Sequence, residues 1–221
     1  MPRLRIHLVR HGEVLNPEGI LYGRMPGYGL SARGFEMAQR IADALPEKDP
    51  HLRALIASPL QRAQETIAPL SERLSLPVAT DERVIEAENE FEGTRVTKDS
   101  LVRDLRSLYR VRNPLRPSWG ERYLDQALRM RAAMMSLRAR LTVLAAREGL
   151  DGASGVIVSH QLPIWSTRLW TEGRPLAHDP RKRQCALASV TSFSDGSGTL
   201  DVVEYEDIAG DLQPTQPGTG A

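Results

Sequence analysis

Residues 4–13 of the chain read LRIHLVRHGE. Apolar and polar residues alternate at the start of this stretch and the apolar pair Leu8-Val9 follows, a pattern that predicts a short strand. The predicted strand leads directly into Arg10 and His11. Because ligands of open α/β sheets bind at the carboxyl ends of the strands, this position makes both residues candidates for a functional site.

A second predicted strand also ends at polar residues. Residues 52–57, LRALIA, have the pattern of a strand, and Ser58-Pro59 after it predicts a helix N-cap followed by proline at the first helical position. The predicted helix carries Arg62 in its first turn and runs to about Leu74. A helix that begins at a strand end offers free backbone N–H groups, which favour bound anions.

A third strand end carries a histidine, since the apolar stretch 155–159 is followed at once by His160. Strands alternating with helices predict an α/β domain over residues 4–208, with an irregular lid at about 94–122 and a disordered tail at 209–221. The other predicted elements are a helix from Ser31 that Pro46 ends, a short strand from Val78, a long helix over 121–148 and a hairpin of 186–194 with 199–205.

Composition limits the classes of partner. The chain has 221 residues, 41% of them hydrophobic, and 29 basic residues against 28 acidic ones, so it can bury a core and has no net field toward nucleic acid or a membrane surface. Cys185 is the only cysteine, which excludes an intrachain disulfide and fits a reducing compartment. No apolar segment has the length of a signal peptide core or a membrane span, so we expect a cytoplasmic protein.

Arginines and histidines at converging strand and helix ends predict a site for an oxyanion such as phosphate. The chain has no GxxxxGKS, GxxxxGKT or GxGxxG motif, so a nucleotide-binding glycine loop is not expected. It also lacks HExxH, and Arg10 beside His11 would repel a cation. We therefore expect neither a metal nor another cofactor.

Three blocks of sequence carry a family resemblance. Residues 8–13 (LVRHGE), 58–66 (SPLQRAQET) and 158–160 (VSH) resemble, in this order, the histidine phosphatase superfamily in its phosphoglycerate mutase-like branch. The resemblance implies a three-layer α/β/α fold with a mixed, mostly parallel central sheet and an active site at the carboxyl ends of its strands. It implies no metal.

The resemblance also implies roles for individual residues. His11 corresponds to the nucleophile that becomes phosphohistidine, and Arg10, Arg62 and His160 correspond to the pocket that holds the phosphoryl oxygens. These roles agree with the chemistry, because an imidazole attacks only when neutral and guanidinium groups stabilise the charge that builds up on a transferring phosphoryl group.

The leaving oxygen needs a proton, which the family supplies from an acidic residue after the third strand. Glu86 matches that position, and Glu88 is the alternative two residues later. An ordinary glutamate is ionised at neutral pH, so the pKa of this group must be raised by burial or by the bound phosphate.

Other substrate contacts are expected around these groups, and the family places its variable insert between the acid and the long helix. The run 178–183, HDPRKR, has two interpretations: a second anion-binding group or, as we favour, a solvated loop. The further predicted substrate contacts are Asn16, Glu88, Gln161, Arg112 and Arg116.

These residues predict a metal-independent phosphomonoesterase that works through a phosphohistidine on a small phosphorylated metabolite. A cofactor-dependent mutase of the phosphoglycerate type is the alternative, and the short separation between Glu86 and His160 favours the phosphatase. A second alternative is an inactive relative that binds a phosphometabolite or a partner protein. The presence of all the expected polar residues argues against it.

Overall fold

The computed structural model describes residues 3–95, 120–195 and 199–214. These residues form one mixed sheet in which β4 and β1 are central, in the order β3-β2-β4-β1-β5-β6. The first four strands in that order are parallel and β5 runs antiparallel to them. β6 is antiparallel to β5 and therefore runs in the direction of the first four. The strands are β1 (Arg3–Arg10), β2 (Leu52–Ala57), β3 (Val78–Thr80), β4 (Gly152–Ser159), β5 (Val190–Asp195) and β6 (Leu200–Glu206).

Helices cover both faces of the sheet. Apolar side chains of α1 and α2 form one buried cluster with Val9, Leu55 and Val156, whereas those of α3 and α4 form another with Ile6 and Leu8. This arrangement confirms the predicted three-layer α/β fold with a mixed, mostly parallel sheet. The helices are α1 (Ala32–Lys48), α2 (Gln61–Leu74), α3 (Tyr123–Glu148) and α4 (Gln161–Thr171).

Two predicted helix boundaries are wrong. Pro46 lies inside α1, which continues to Lys48, because a proline in the last turn removes one backbone donor without ending the remaining hydrogen bonds. Helix α2 begins at Gln61 with Leu60 at its N-cap, so Ser58 is not the cap. The Ser58 hydroxyl instead lies 2.8 Å from a ring nitrogen of His160.

Helix α4 was not predicted from the sequence. Most of its residues are buried, so it lacks the polar face that gives an amphipathic period. Pro163 also interrupts the pattern, but at the third helical position its missing N–H has no partner to lose within the helix. The helix follows β4 directly, and His160 is its N-cap.

The predicted tail begins too early. Ala209 is fully buried, a 3-10 helix spans Gly210–Leu212, and the Gln213 side chain donates to the Leu187 carbonyl oxygen at 2.8 Å. Residues 96–119, most of the predicted lid, lie outside the described residues. Across the described ranges, no helix combines the length and the apolar character needed to cross a membrane.

A buried polar chain joins the end of α1 to the sheet. His7 on β1 lies 2.9 Å from Asp49 through Nε2 and 2.8 Å from the Ser192 hydroxyl on β5 through Nδ1. Burial alone would raise the pKa of Asp49, but hydrogen bonds from His7, Ser154 and the His51 N–H outweigh it and lower the pKa to about 2. This carboxylate therefore stabilises the fold in its ionised form.

Candidate active site

The strand register brings the three predicted strand ends together. Arg10, the last residue of β1, is paired with Ser159 on β4, and Ala57, the last residue of β2, is paired with Val158. The residues that follow these strands therefore emerge side by side at one edge. We call the buried group that meets there the polar cluster: Arg10, His11, Arg62, Glu86 and His160.

His11 is completely buried and has the properties of a neutral nucleophile. Its Nδ1 donates to the Gly12 carbonyl oxygen at 2.8 Å, which leaves the lone pair on Nε2. Burial, followed by the charges of Arg62 and Arg10, holds the pKa of His11 well below its usual range. Arg62 Nε donates to His11 Nε2 at 3.3 Å, so a guanidinium lies where a phosphoryl group on that nitrogen would need one.

The backbone around His11 is fixed by close contacts. Its N–H donates to the Ser159 carbonyl oxygen at 3.1 Å, and the Gly12 N–H donates to the Thr66 hydroxyl at 3.0 Å. A Cβ atom on Gly12 would lie 2.6 Å from the Gly34 carbonyl oxygen, closer than real Cβ atoms come. Position 12 therefore requires glycine, and the loop holds the imidazole in one orientation.

The two arginines of the polar cluster are held by neutral groups. Arg62, 1% exposed, donates to the Gly23 carbonyl oxygen at 2.6 Å and lies over the Tyr22 ring at 4.8 Å. Arg10 donates to the Cys185 carbonyl oxygen at 2.7 Å. Within the described ranges no carboxylate forms a salt bridge with either guanidinium. A buried charge without a counterion is costly, so the pair indicates a site for an anion.

His160 and Glu86 complete the cluster. His160 Nδ1 lies 4.0 Å from Glu86 Oε2, and the His160 ring lies 5.1 Å from that of His11. Burial, followed by the charge of Arg62, holds the pKa of His160 well below its usual range. Burial raises the pKa of Glu86, even though the Ala87 N–H and nearby arginines act against the shift. A carboxyl group in this setting keeps its proton to higher pH and can donate it.

Three buried polar atoms of the cluster have no hydrogen-bond partner in the described structure: Arg10 Nε, Glu86 Oε2 and His160 Nδ1. Unpaired buried polar atoms are rare because each costs free energy. Phosphoryl oxygens placed next to His11 would give Arg10 Nε an acceptor, and a leaving oxygen would give Glu86 Oε2 one. The unpaired atoms make the cluster a candidate site for a polar ligand such as an oxyanion.

The backbone at Glu86 is held by a pair of arginines that the sequence did not suggest. Arg24 Nε and Arg129 Nη2 donate to the Glu86 carbonyl oxygen at 2.8 and 3.3 Å. Both guanidinium groups also donate to Glu121, at 3.0 and 2.6 Å. This arrangement fixes the loop that carries the acid. Its members come from three distant parts of the chain, so no local pattern indicates it.

Of the remaining predicted substrate contacts that the structure describes, only one lies at the polar cluster. The Asn16 side chain both donates to and accepts from the Ile20 backbone, contacts that close its own loop. The Glu88 side chain is exposed and, within the described ranges, contacts no member of the polar cluster. Gln161 lies at the edge of the cluster, where its Nε2 donates to the Cys185 carbonyl oxygen at 3.3 Å. Arg112 and Arg116 fall outside the described residues.

The solvated-loop interpretation of residues 178–183 is wrong for two of them. Arg181 and Lys182 are exposed, and Arg181 pairs with Asp179 at 2.8 Å. His178 and Arg183, however, are partly buried and contact each other, with Arg183 Nε donating to His178 Nε2 at 2.8 Å. Sequence reasoning missed their burial because aromatic residues of α3 and α4, far away along the chain, cover His178.

Metal binding has no visible basis in the described part of the chain. No three residues of the His, Cys, Asp and Glu types come close enough together there to hold a metal ion. Cys185 is buried, and burial raises the pKa of its thiol to about 11. Its backbone carbonyl, not its sulfur, contributes to the site.

Known proteins resemble this chain either in sequence or in fold. An uncharacterized protein of Mycobacterium tuberculosis, Rv0525, is 52% identical over 207 residues, which cover 93% of this chain and 97% of that protein. The solved structure of the mycobacterial glucosyl-3-phosphoglycerate phosphatase Rv2419c matches with a TM-score of 0.69 at 23% identity, over 92% of this chain and 96% of that one. Bacillus stearothermophilus YhfR matches with a TM-score of 0.69 at 25% identity, over 90% and 95%.

The match to a family model agrees with the sequence motifs. The model of the histidine phosphatase superfamily, branch 1, matches residues 6–208, a range that contains all three motif blocks and every member of the polar cluster. The matched range begins within β1 and extends past the end of β6. On the sequence match, the shared fold and the geometry of the cluster together, the chain belongs to the histidine phosphatase superfamily, branch 1.

Proposed function

We propose that this protein is a metal-independent phosphomonoesterase that forms a phosphohistidine on His11. One observation carries the proposal: a neutral, fully buried imidazole lies beside two arginines that have no counterion among the described residues, and beside a buried carboxyl group whose pKa is raised. These are the nucleophile, the anion-binding groups and the acid that transfer of a phosphoryl group needs.

In the first step, His11 Nε2 attacks the phosphorus atom of the ester. The N–P bond forms as the P–O bond to the leaving group breaks, and Glu86 gives its proton to the leaving oxygen. Arg10 and Arg62 bind the phosphoryl oxygens, whose charge increases in the transition state. The products of this step are an alcohol, a phosphohistidine and an ionised Glu86.

In the second step, water attacks the phosphohistidine. Ionised Glu86 accepts a proton from the water as the new P–O bond forms and the N–P bond breaks. Inorganic phosphate leaves, and both His11 and protonated Glu86 are restored. General acid and base catalysis of this kind contributes about 10²- to 10⁴-fold to the rate. Each charge-assisted hydrogen bond from an arginine contributes about 1.5–3 kcal/mol.

A small phosphorylated metabolite is the substrate class that fits best. The reacting groups are buried, and they include one set of anion-binding side chains around a single nucleophile. Similar solved structures support this class, since one is named a glucosyl-3-phosphoglycerate phosphatase and has also been solved with inorganic phosphate.

The first test is hydrolysis of p-nitrophenyl phosphate in the presence of EDTA. We expect turnover by the wild-type protein and none by His11→Ala. His51→Ala is the matched control, because His51 is an exposed histidine outside the cluster, and it should retain full activity. Undiminished turnover by His11→Ala, or an absolute need for added metal, would contradict the proposed mechanism.

The same preparation separates the alternatives. Supplied with 3-phosphoglycerate and a 2,3-bisphosphoglycerate primer, a phosphatase releases phosphate, whereas a mutase interconverts the monophosphates without releasing it. An inactive relative would bind vanadate or phosphate stoichiometrically and turn over no compound in a panel of phosphorylated metabolites. Interconversion without phosphate release, or binding without any turnover, would overturn the proposal.

A further inference from the structure

Arg183 lies beside the polar cluster and is held by neutral acceptors. Its Nε donates to His178 Nε2 at 2.8 Å, and its Nη1 donates to Gln161 Oε1 at 3.2 Å. His178 Nδ1 donates to the Leu176 carbonyl oxygen at 2.6 Å, so its Nε2 carries the lone pair that Arg183 needs. Burial lowers the pKa of His178, which keeps the ring neutral.

Arg183 retains a positive charge that the described residues do not neutralise. In the described ranges, no aspartate or glutamate forms a salt bridge with its guanidinium. Burial lowers the pKa of Arg183, yet an arginine stays protonated throughout the physiological range. A mainly structural arginine at such a position is normally paired with a carboxylate, because a partly buried charge without a counterion is unfavourable.

A short chain of contacts connects Arg183 to the phosphoryl-binding groups. Gln161 accepts from Arg183 and donates to the Cys185 carbonyl oxygen at 3.3 Å, and the same oxygen accepts from Arg10 at 2.7 Å. Arg183 therefore lies one side chain beyond the arginine that binds the phosphoryl group.

The guanidinium of Arg183 is also preorganised. The ring of its partner His178 lies 5.1 Å from that of Tyr123 on α3 and 6.0 Å from that of Trp165 on α4. Two helices thus fix the imidazole, and the imidazole and Gln161 together fix the guanidinium. A positioned arginine loses little conformational entropy when it binds an anion.

We propose that Arg183 is a specificity-determining residue that binds a second anionic group of the substrate, a carboxylate or a second phosphate, while the polar cluster holds the phosphoryl group to be cleaved. Gln161 lies between the two anion sites and positions Arg183. The preferred substrates are thereby phosphomonoesters whose leaving group carries its own negative charge. This inference rests on the proposed phosphatase function.

The test compares ligands that differ in one group. Glycerol 3-phosphate and 3-phosphoglycerate differ by a hydroxymethyl group in place of a carboxylate, and fructose 6-phosphate and fructose 1,6-bisphosphate differ by one phosphate. Each is measured as a competitive inhibitor of p-nitrophenyl phosphate hydrolysis, so that a ligand need not be turned over. In the wild type we expect the more highly charged member of at least one pair to bind about 10- to 100-fold more tightly. The pair that shows the preference identifies the second group.

The variants are Arg183→Gln, Arg183→Lys and the control Lys182→Gln, which removes an exposed positive charge from the same run. Arg183→Gln should lose the preference, measured as the ratio of the two inhibition constants within a ligand pair, while the melting temperature stays near wild type. Arg183→Lys should restore part of the preference, because it keeps the charge without the planar fork. Lys182→Gln should behave as wild type.

An unchanged preference in Arg183→Gln, or no preference in the wild type for either pair, would overturn the role of Arg183. Absence of p-nitrophenyl phosphate hydrolysis in the wild type would instead overturn the phosphatase function. The same two ligand pairs would then be compared by calorimetry, so the failure of one proposal remains distinct from the failure of the other. If Arg183→Gln has a lower melting temperature than the wild type, Arg183→Lys is used in its place, and the expected result is then a partial loss of the preference.

Discussion

Replacing Glu86 with glutamine should lower kcat/KM strongly for substrates whose leaving group needs a proton and only slightly for those whose leaving group does not. Glu86 Oε1 accepts from the Ala87 N–H at 2.7 Å, a bond that the amide oxygen of glutamine preserves. Oε2, the atom 4.0 Å from His160 Nδ1 and without a partner among the described residues, becomes an NH₂ group that cannot give up a proton. The fold should therefore persist while proton donation is lost.

The expected size of the effect follows from the leaving group. The alkoxide oxygen of glycerol 3-phosphate is a poor leaving group unless it receives a proton as the P–O bond breaks. Without the acid, kcat/KM for this substrate should fall by about 10²- to 10⁴-fold, or about 3–5 kcal/mol of transition-state stabilisation. The p-nitrophenolate anion leaves without a proton, so its phosphate ester should lose little in the phosphorylation step. The ratio of the two kcat/KM values is thus the measured quantity.

The pH profile gives a second measure of the same group. Burial raises the pKa of Glu86, so the donating form persists to higher pH than for an exposed glutamate, and kcat/KM for glycerol 3-phosphate should fall as pH rises through that pKa. Glu86→Gln should lack this fall. Glu88→Gln, which changes an exposed carboxylate two residues away, should match the wild type. Equal losses on both substrates in Glu86→Gln would refute the assignment of Glu86 as the acid.

Further predictions concern the other buried groups. Arg62→Lys keeps the charge but loses the donors to His11 and the Gly23 carbonyl oxygen, so kcat/KM should fall at least about tenfold. Gly12→Ala would place its Cβ 2.6 Å from the Gly34 carbonyl oxygen; chemical denaturation should show a loss of about 1–3 kcal/mol, and activity should fall as His11 is displaced. Asp49→Asn should lower the free energy of unfolding by about 2 kcal/mol at neutral pH, because the pKa of Asp49 is lowered from 3.8 to about 2. That difference is fully present above pH 3.8 and should disappear as pH falls to about 2, which urea unfolding at a series of pH values would show.

The sequence predicted well which residues lie at the carboxyl ends of the strands, because the signals for these positions are local. Arg10 ends an apolar strand, and His11 and His160 each directly follow one, so all three must lie where the strands end. The order of strands then required only that β1, β2 and β4 be parallel neighbours. Local pattern and family motifs therefore located His11, Arg10 and Arg62, which the structure brings together in the polar cluster.

The groups that were missed depend on contacts between distant segments. Ser58 has the chemistry of an N-cap, but its hydroxyl contacts His160, the residue after the neighbouring strand β4, and no local signal distinguishes the two uses. Arg183 lies in a run of polar residues typical of a solvated loop. Its burial becomes visible only when α4, whose apolar surface gives no helical period, covers the partner histidine. Tertiary packing overrode composition at both positions.

The central place of β1 in the sheet also determines when the polar cluster is complete during folding. β1 is the first strand in the chain, yet both its neighbours, β4 and β5, come from the second half. The site is complete only after these long-range pairings form, since Arg10 needs the Cys185 carbonyl oxygen before β5 and the His11 N–H needs Ser159 at the end of β4. Pairings of high contact order form slowly. Recovered turnover in a refolding experiment should therefore report the last step of sheet assembly, and a fragment that ends before β4 should have none.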